Sequence, residues 1–378
     1  MIPLFKVHMP PNLAGPLLET LYSGYVAEGR KVELFERAFG TYVHNTRVLA
    51  LNSGTSALTL ALRLAGVEYG DCVVTTPMTC TATNLPILSL GAKPLWADVD
   101  AVSGQISPHF VERHFTRSRG RLPKAIVCVD WGGAPCDMDA LRSIGERWGV
   151  PVIEDAAHAL GATYRGVPVG AVADYTCFSL QAIKHITTGD GGVLACLRAE
   201  DHERARRLRW FGIDRGAPTG DSRIDVDIEE WGYKFHMNDV AATIGIEQMR
   251  YLSGIISSHR ENAAYYDATL SRYFVRAYHV QGTVSARWLY TVLLPNSSER
   301  DAFVRFMLGR GIQVSRVHRP NDEYSVFKPY NFMGSDLTGT RVFSSRMVCI
   351  PVHWALTADE RQQVADACDA WVNGGQGA

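Results

Sequence analysis

Short apolar runs alternate with segments of helical periodicity over residues 47–197. The apolar runs are rich in Val, Ile and aromatic residues and predict strands at RVLALN, CVVTT, KPLWAD, AIVCVD, PVIEDA, YTCFSL and GVLACL. Helices are predicted between them, such as TSALTLALRLA from Thr55 and DALRSIGERWG from Asp139. This alternation favours an α/β domain whose largely parallel sheet is covered on both faces. Ligands of such sheets gather at the carboxyl ends of the strands.

The pattern changes after Leu197. A charged helical segment, EDHERARRLRW, leads into a long polar excursion, GIDRGAPTGDSRIDVDIEEWGYKF. Polar loops of this length usually serve a ligand or a partner. One long helical pattern then runs from about Asn238 to Leu270. The rest of the chain predicts a strand at RWLYTVLL, a helix near Arg300 to Leu308, a strand at GIQVSRV and a last helix from Thr357.

These patterns predict two domains. A large α/β domain is expected over residues 1–245 and a smaller α+β domain over residues 246–378. The composition agrees with a globular protein, since 46% of the 378 residues are hydrophobic and 20% are charged. Lys and Arg number 38 against 39 Asp and Glu, so the net charge of -1 offers no basic field for nucleic acid.

No apolar stretch in the sequence is long enough to predict a membrane span, and the first residues do not resemble a secretion signal. The eight cysteines are scattered singly, mostly in apolar runs, and are interpreted as small buried residues. The absence of a C-x-x-C pair disfavours zinc ribbons and common iron–sulfur sites. We therefore expect a cytoplasmic protein with reduced thiols and no metal site.

Polar or glycine residues follow several predicted strands, and the first such segment is Asn52-Ser53-Gly54. Gly54 permits a close approach of the backbone to a ligand. The amides of Thr55 and Ser56 lie at the start of a helix, where free N–H groups and the helix dipole favour a phosphate. An ordinary N-cap has the same pattern, so this segment alone leaves both interpretations open.

Two further segments carry titratable groups. Asp155 ends an apolar strand and His158 follows it, although each alone has an ordinary structural interpretation. Lys184 lies between two apolar strands, after Ser179 and before a polar, glycine-rich turn. Burial would lower the pKa of such a lysine and make its amine a nucleophile, although surface lysines are more common. A phosphate cradle, a carboxylate for a pyridine nitrogen and a lysine for an aldehyde are together what pyridoxal 5'-phosphate requires.

The same segments resemble the sugar aminotransferases of the DegT/DnrJ/StrS family, which have the aspartate-aminotransferase fold (fold type I). The resemblance extends over nearly the whole chain, through EGRKVELFERAFGTYV, NSGTSAL, GAKPLWADVD, VIEDAAHALGA, SLQAIKHITTGDGG, GYKFHMNDVAA and IPVHWALT. It implies pyridoxal 5'-phosphate as cofactor, with pyridoxamine 5'-phosphate as its aminated form. The activity it implies is transfer of an amino group from L-glutamate to a keto carbon, C4 or C3, of a nucleotide-linked deoxysugar.

The resemblance also implies roles for individual residues. Lys184 would form the Schiff base with the cofactor, Asp155 would meet the pyridine nitrogen, and His158 would lie near the ring. The residues implied at the phosphate are Thr55, Ser56 and Ser179, beside Gly54.

A homodimer is implied as well, in which the polar excursion reaches the active site of the neighbouring subunit. Lys234 or His236 of this segment would then contact the cofactor phosphate bound by that neighbour. In the carboxy-terminal half, His318 and Tyr324 lie in or beside apolar segments. They are candidates for contact with the sugar or its diphosphate, together with Lys184 and His185.

The sequence departs from the family pattern at Cys80, where many relatives have an aromatic residue that stacks on the cofactor. Losing such a stack would weaken cofactor binding by about 0.5 to 1.5 kcal/mol. Met78 or Trp131 would be candidates to compensate.

Two alternatives to an aminotransferase stay open. One is a pyridoxamine-phosphate-dependent dehydratase of a nucleotide keto sugar. Family dehydratases carry His in place of the lysine, and here Lys184 is present, with His185 only directly after it. The other is a regulatory relative without catalysis, which the intact set of Lys184, Asp155 and Gly54 disfavours.

Overall fold

The computed structural model describes residues 1–118, 120–215, 227–270, 273–277, 279–331 and 336–374. Its strands are β1 Val48–Leu51, β2 Cys72–Thr75, β3 Lys93–Trp96, β4 Ala125–Val129, β5 Val152–Asp155, β6 Thr163–Tyr164, β7 Val167–Pro168, β8 Tyr175–Ser179, β9 Gly192–Cys196, β10 Val275–Arg276, β11 Thr283–Val284, β12 Tyr290–Leu293 and β13 Met347–Ile350. Its helices are α1 Ala14–Tyr22, α2 Arg30–Tyr42, α3 Gly54–Leu64, α4 Thr81–Ser89, α5 Pro108–Thr116, α6 Met138–Trp148, α7 Ala199–Leu208, α8 Asp239–Met249, α9 Leu252–Thr269, α10 Ser297–Gly309, α11 Thr338–Arg346 and α12 Ala358–Gly374.

A seven-stranded sheet in the order β1-β9-β8-β5-β4-β2-β3 forms the centre of the molecule. Strand β9 is antiparallel to both of its neighbours, and the remaining pairs are parallel. The carboxyl ends of the parallel strands therefore lie along one edge of the sheet. All of the strands predicted over residues 47–197 belong to it, which confirms the predicted fold class.

Continuous apolar runs form these strands because helices cover both faces of the sheet. On one face, Ala50 and Phe178 pack with Phe35 of α2 and with Leu252 of α9. On the other face, Leu49 and Cys177 of the same strands pack with apolar side chains of α3. Successive side chains of a strand point to opposite faces, so each strand contributes to both cores.

A second, three-stranded antiparallel sheet, β10-β12-β13, lies in the carboxy-terminal part of the chain. It packs with apolar residues of α9, α10 and α12, and Ile2 from the amino terminus joins the same core. The predicted domain division at residue 245 stays a prediction, and that residue lies within α8.

Two element predictions were wrong. The long helical pattern after Asn238 forms two helices, α8 and α9, separated at Arg250 and Tyr251. The segment GIQVSRV is not a regular strand, because it pairs only through single bridges, Ile2 to Ile312 and Ser315 to Cys349.

Part of the polar excursion, residues 216–226, lies outside the described residues. Within the described ranges, no helix has the length and apolar composition that a membrane crossing requires.

Candidate active site

A cavity of about 540 Å³ lies at the carboxyl ends of the parallel strands. Its lining includes Val129 at the end of β4, Asp155 at the end of β5 and Ser179 at the end of β8. The predicted site residues that line it are Gly54, Thr55, Cys80, Asp155, His158, Ser179, Lys184 and His318. The parallel sheet thus unites residues that lie far apart in the sequence.

Lys184 lies in the turn between β8 and β9, where its own amide donates to the carbonyl oxygen of Gln181 at 2.9 Å. Its amine faces the cavity, with Nζ 3.9 Å from the centroid of the Trp288 ring. Burial lowers the pKa of this amine to about 8, and the opposing charge of Asp155 acts in the other direction. At pH 7 roughly a tenth of the amine is therefore neutral and nucleophilic, far more than for an ordinary lysine.

Asp155 is 5% exposed, and both of its carboxylate oxygens accept hydrogen bonds. Thr83 Oγ1 donates to Oδ2 at 2.7 Å, and the amide of Ala157 donates to Oδ1 at 3.1 Å. Burial raises the pKa of Asp155, whereas these two hydrogen bonds and the charge of Lys184 favour the ionised form. A cation at the cavity side of this carboxylate would complete its charge balance.

His158 is buried beside the cavity, and its ring stacks on Trp288 with centroids 3.9 Å apart and planes at 22°. The ring of His318 is parallel to it at 5.8 Å. Burial holds the pKa of His158 well below its ordinary value, and the nearby Lys184 adds to this effect. The imidazole is therefore neutral, and its Nδ1 has no hydrogen-bond partner among the described residues.

The turn between β1 and α3 is an N-cap, since Ser53 Oγ accepts from the amide of Ser56 at 3.0 Å. This structural interpretation and the phosphate hypothesis are compatible for Gly54 and Thr55, because the first amides of a helix have no intrahelical acceptor. A Cβ at Gly54 would lie 3.0 Å from Ser179 Cβ, so glycine lets the turn approach the end of β8.

The cavity fits pyridoxal 5'-phosphate on two observations. A buried polar atom, His158 Nδ1, has no partner among the described residues, and the backbone at Gly54 has free helix-start amides beside the Ser179 hydroxyl. The volume is also within the usual range for a small-molecule site.

Five predicted site residues lie outside the cavity lining, and Ser56, His185 and Tyr324 are three of them. Ser56 uses its amide for the cap, and its hydroxyl donates to Asn52 Oδ1 at 2.6 Å. His185 is buried behind Lys184, with Nε2 3.1 Å from the carbonyl oxygen of Ala286. Tyr324 does not line the cavity either, and its ring lies under the guanidinium of Arg319.

Lys234 and His236 also lie outside the cavity lining. The side chain of Lys234 is exposed, while the half-buried ring of His236 packs edge-on against Trp210 at 4.2 Å. Burial lowers the pKa of His236.

Sequence reasoning missed several lining residues, among them Trp288 and Thr83. Trp288 belongs to no polar segment that follows a strand. Thr83 does lie in such a segment, PMTCTATN after CVVTT, but Cys80 was the residue singled out there. The residues considered as substitutes for an aromatic at Cys80, Met78 and Trp131, are buried but do not line the cavity. Trp288 provides the large ring there.

Comparison with known proteins decides the family. The model of the DegT/DnrJ/EryC1/StrS aminotransferase family matches residues 12–369. The chain belongs to this family. The predicted cofactor and enzyme class are confirmed with it, because enzymes of this family are aminotransferases that depend on pyridoxal 5'-phosphate.

The aminotransferase is similar over its whole length to a solved sugar aminotransferase, CalS13 from Micromonospora echinospora. The two are 35% identical with a TM-score of 0.91, over 98% of this chain and 100% of CalS13. A UDP-4-amino-4,6-dideoxy-N-acetyl-beta-L-altrosamine transaminase of Campylobacter jejuni is 31% identical over 93% of this chain and 92% of its own. A UDP-4-amino-4-deoxy-L-arabinose–oxoglutarate aminotransferase of Shewanella sediminis is 35% identical over 70% of this chain and 68% of its own.

Proposed function

We propose that this aminotransferase moves an amino group from L-glutamate to a keto carbon, C4 or C3, of a nucleotide-linked deoxysugar. The observation that carries the proposal is that one cavity brings together the amine of Lys184, the carboxylate of Asp155 and the helix-start turn at Gly54. The relatives named for UDP-linked amino sugars support the substrate class, and the name of the Shewanella relative, with oxoglutarate as co-substrate, supports glutamate as donor.

Different lining residues would hold the pyridine nitrogen and the phosphate of the cofactor. Asp155, which accepts a hydrogen bond from Thr83, would pair with the pyridine nitrogen and keep it protonated. The amides of Gly54 and Thr55 and the hydroxyl of Ser179 would hold the phosphate at the amino terminus of α3. Ser56 contributes indirectly, because its amide secures the cap that orients this turn.

When bound, pyridoxal 5'-phosphate supplies an aldehyde that joins amines reversibly and a ring that accepts the electron pair of the substrate carbon. Lys184 would be the amine that holds the cofactor and, when that amine is free, the base that takes the donor's α-proton at Nζ. A pKa of about 8 suits this exchange, because the amine both gains and releases a proton near neutral pH. The neutral ring of His158 borders the site without adding charge.

Part of the cavity lining is apolar. Leu4, Phe5 and Trp288 contribute this surface, which would reduce contact of a bound cofactor with water. Electrostatic interactions between Lys184 and Asp155 are stronger in such a site than in water.

We also infer a homodimer in which the excursion contributes Lys234 or His236 to the neighbouring site. Large apolar side chains are exposed beside Lys234, and Trp231 is 58% and Ile228 49% exposed. Exposed large apolar side chains close together in the sequence are a feature that a subunit interface would cover. The cytoplasmic location expected from the sequence remains a prediction.

The test is amino transfer to UDP-linked 4-keto and 3-keto deoxysugars with glutamate as donor, followed by mass spectrometry of the sugar. Lys184→Ala should lower the rate by about 1,000-fold or more, because one group serves as both nucleophile and proton carrier. Lys93→Ala is the matched control, since Lys93 is exposed at the start of β3 and should leave the rate unchanged. Full activity of Lys184→Ala, or loss of water from the sugar without any amino donor, would contradict the proposal.

A further inference from the structure

The indole of Trp288 makes three contacts that converge on the reactive lysine. Its ring stacks on His158 at 3.9 Å, and Lys184 Nζ lies 3.9 Å from its centroid. Its Nε1–H donates to the carbonyl oxygen of Ile183 at 3.1 Å. Since Ile183 precedes Lys184, one side chain contacts both the backbone and the amine of the lysine turn.

The position of Trp288 is set by contacts with the chain that follows β4. The amide of Ala286 donates to the carbonyl oxygen of Gly133 at 2.8 Å, and the amide of Leu289 donates to that of Gly132 at 3.2 Å. Gly133 has a φ of 95°, and a Cβ there would lie 2.6 Å from the carbonyl oxygen of His158. Only glycine allows this close approach. Gly133 therefore packs closely against both the backbone of His158 and the segment that carries Trp288.

Trp288 also stacks on a second ring. Phe5 lies nearly parallel to it, with centroids 4.9 Å apart and planes at 19°. Trp288 is 2% exposed, which leaves little room for it to change rotamer. A fixed aromatic face attracts a cation, and it does so more strongly where water is excluded.

We propose that Trp288 is a positioning residue that holds the protonated amine of Lys184 against its indole face when the lysine is not bonded to another group. Resting on the proposed function, this gives the lysine a defined place while it carries the α-proton taken from the donor. The amine then lies beside His158 and Asp155 and does not turn toward solvent. The indole N–H also donates to the carbonyl oxygen of Ile183, so the backbone next to Lys184 is held in place.

The test measures the pKa of Lys184 in the cofactor-free protein. The rate of acetic anhydride labelling is followed against pH, with mass spectrometry of the Lys184 peptide as the readout. Wild type should give a midpoint near the value of about 8 that burial sets. Trp288→Leu should lower it by about one unit, because the ring no longer stabilises the ammonium form. Trp288→Phe retains a ring face and should give a smaller shift.

Trp148→Leu is the control, because Trp148 stacks on Phe115 on the helical layer away from the cavity and should leave the midpoint unchanged. A Lys184 midpoint that is unchanged or raised in Trp288→Leu would overturn the proposal. If that variant does not fold, replacing the tryptophans by fluorinated analogues keeps the shape and weakens the ring face. The midpoint should then fall with the degree of fluorination, and a constant midpoint would overturn the proposal.

The amino half-reaction separates this proposal from the proposed function. Glutamate should convert the loaded wild-type protein to the pyridoxamine form, and Trp288→Leu should do so about tenfold more slowly with an unchanged KM for glutamate. Failure of the wild type would contradict the proposed function, while the labelling midpoint would still decide the role of Trp288. An active wild type with an equally fast Trp288→Leu would overturn the positioning role alone.

Discussion

Two sides of the cavity differ in origin and in chemistry. The floor consists of residues at the strand ends of the large sheet, namely Gly54, Asp155, Ser179 and Lys184. The roof consists of residues from the amino-terminal segment and the carboxy-terminal part, namely Leu4, Phe5, Trp288, Ser315 and His318. The floor carries the charged groups Asp155 and Lys184, whereas the roof carries the aromatic rings of Phe5 and Trp288. We therefore expect changes in the floor to act on the chemistry and changes in the roof to act on substrate binding.

The largest expected effect comes from the floor. Asp155→Asn retains the shape and the contact with Thr83 but removes the charge that we propose to pair with the pyridine nitrogen. Breaking a buried pair by removing one partner costs about 3 to 5 kcal/mol. We expect the amino half-reaction to slow by about 100-fold or more, measured by single-turnover absorbance.

The matched control is the preceding residue on the same strand. Glu154 is fully buried, accepts a hydrogen bond from Thr176 and does not line the cavity. Because neighbouring strand residues face opposite sides, Glu154→Gln should change stability but not the half-reaction. If the half-reaction were equally slow in Asp155→Asn and Glu154→Gln, the prediction that only the Asp155 side of β5 acts on the reaction would be wrong.

A smaller effect is expected from the roof. Phe5→Ala removes the ring that stacks on Trp288, a contact worth about 0.5 to 1.5 kcal/mol. We expect the KM for the sugar to rise by about 2- to 10-fold while the Kd for pyridoxal 5'-phosphate stays constant. Phe110→Ala, at a partly buried phenylalanine away from the cavity, should change neither value. If Phe5→Ala instead raised the Kd for pyridoxal 5'-phosphate, the roof and the floor would not have separate roles.

The smallest expected effect is a loss of stability at acidic pH. Burial lowers the pKa of His318 in the roof to about 3 and that of His259, which packs on His185 behind the floor, to about 4. Both are below the ordinary value of 6.5. Between about pH 6.5 and 4 the unfolded chain therefore binds protons that the folded chain does not, and stability falls as the pH falls. We expect Tm to drop by a few degrees from about pH 7 to 5.

Replacing one of these histidines should reduce that slope. His318→Gln removes one buried imidazole, whereas His44→Gln changes an exposed histidine and should leave the slope as in the wild type. A Tm that is constant over this range would contradict the account of neutral, buried histidines.

The difference between floor and roof also explains which features could be predicted from the sequence. The apolar runs marked every strand of the large sheet, and the polar residues that follow strands marked Asp155 and Lys184, because in a parallel sheet such positions meet at one edge. Trp288 reaches Ile183 across more than a hundred residues, and no local pattern encodes that contact. Thr83 was missed for the same reason, since it meets Asp155 only in the folded chain.

The errors in the elements have similar causes. GIQVSRV has the apolar alternation of a strand, but its neighbours offer only single bridges, at Ile312 and Ser315. The long helix after Asn238 is interrupted at Arg250 and Tyr251, where neither glycine nor proline announces a break. Tertiary contacts decide both cases, and a local pattern does not contain them.

The central claim is that Lys184 is the residue that holds the cofactor. Reduction of the loaded protein with borohydride, followed by digestion and mass spectrometry, tests it most directly. We expect one pyridoxyl group per chain on the peptide that contains Lys184, and none in Lys184→Ala. A pyridoxyl group on a different lysine, or an unmodified Lys184 in protein that still transfers amino groups, would contradict the claim.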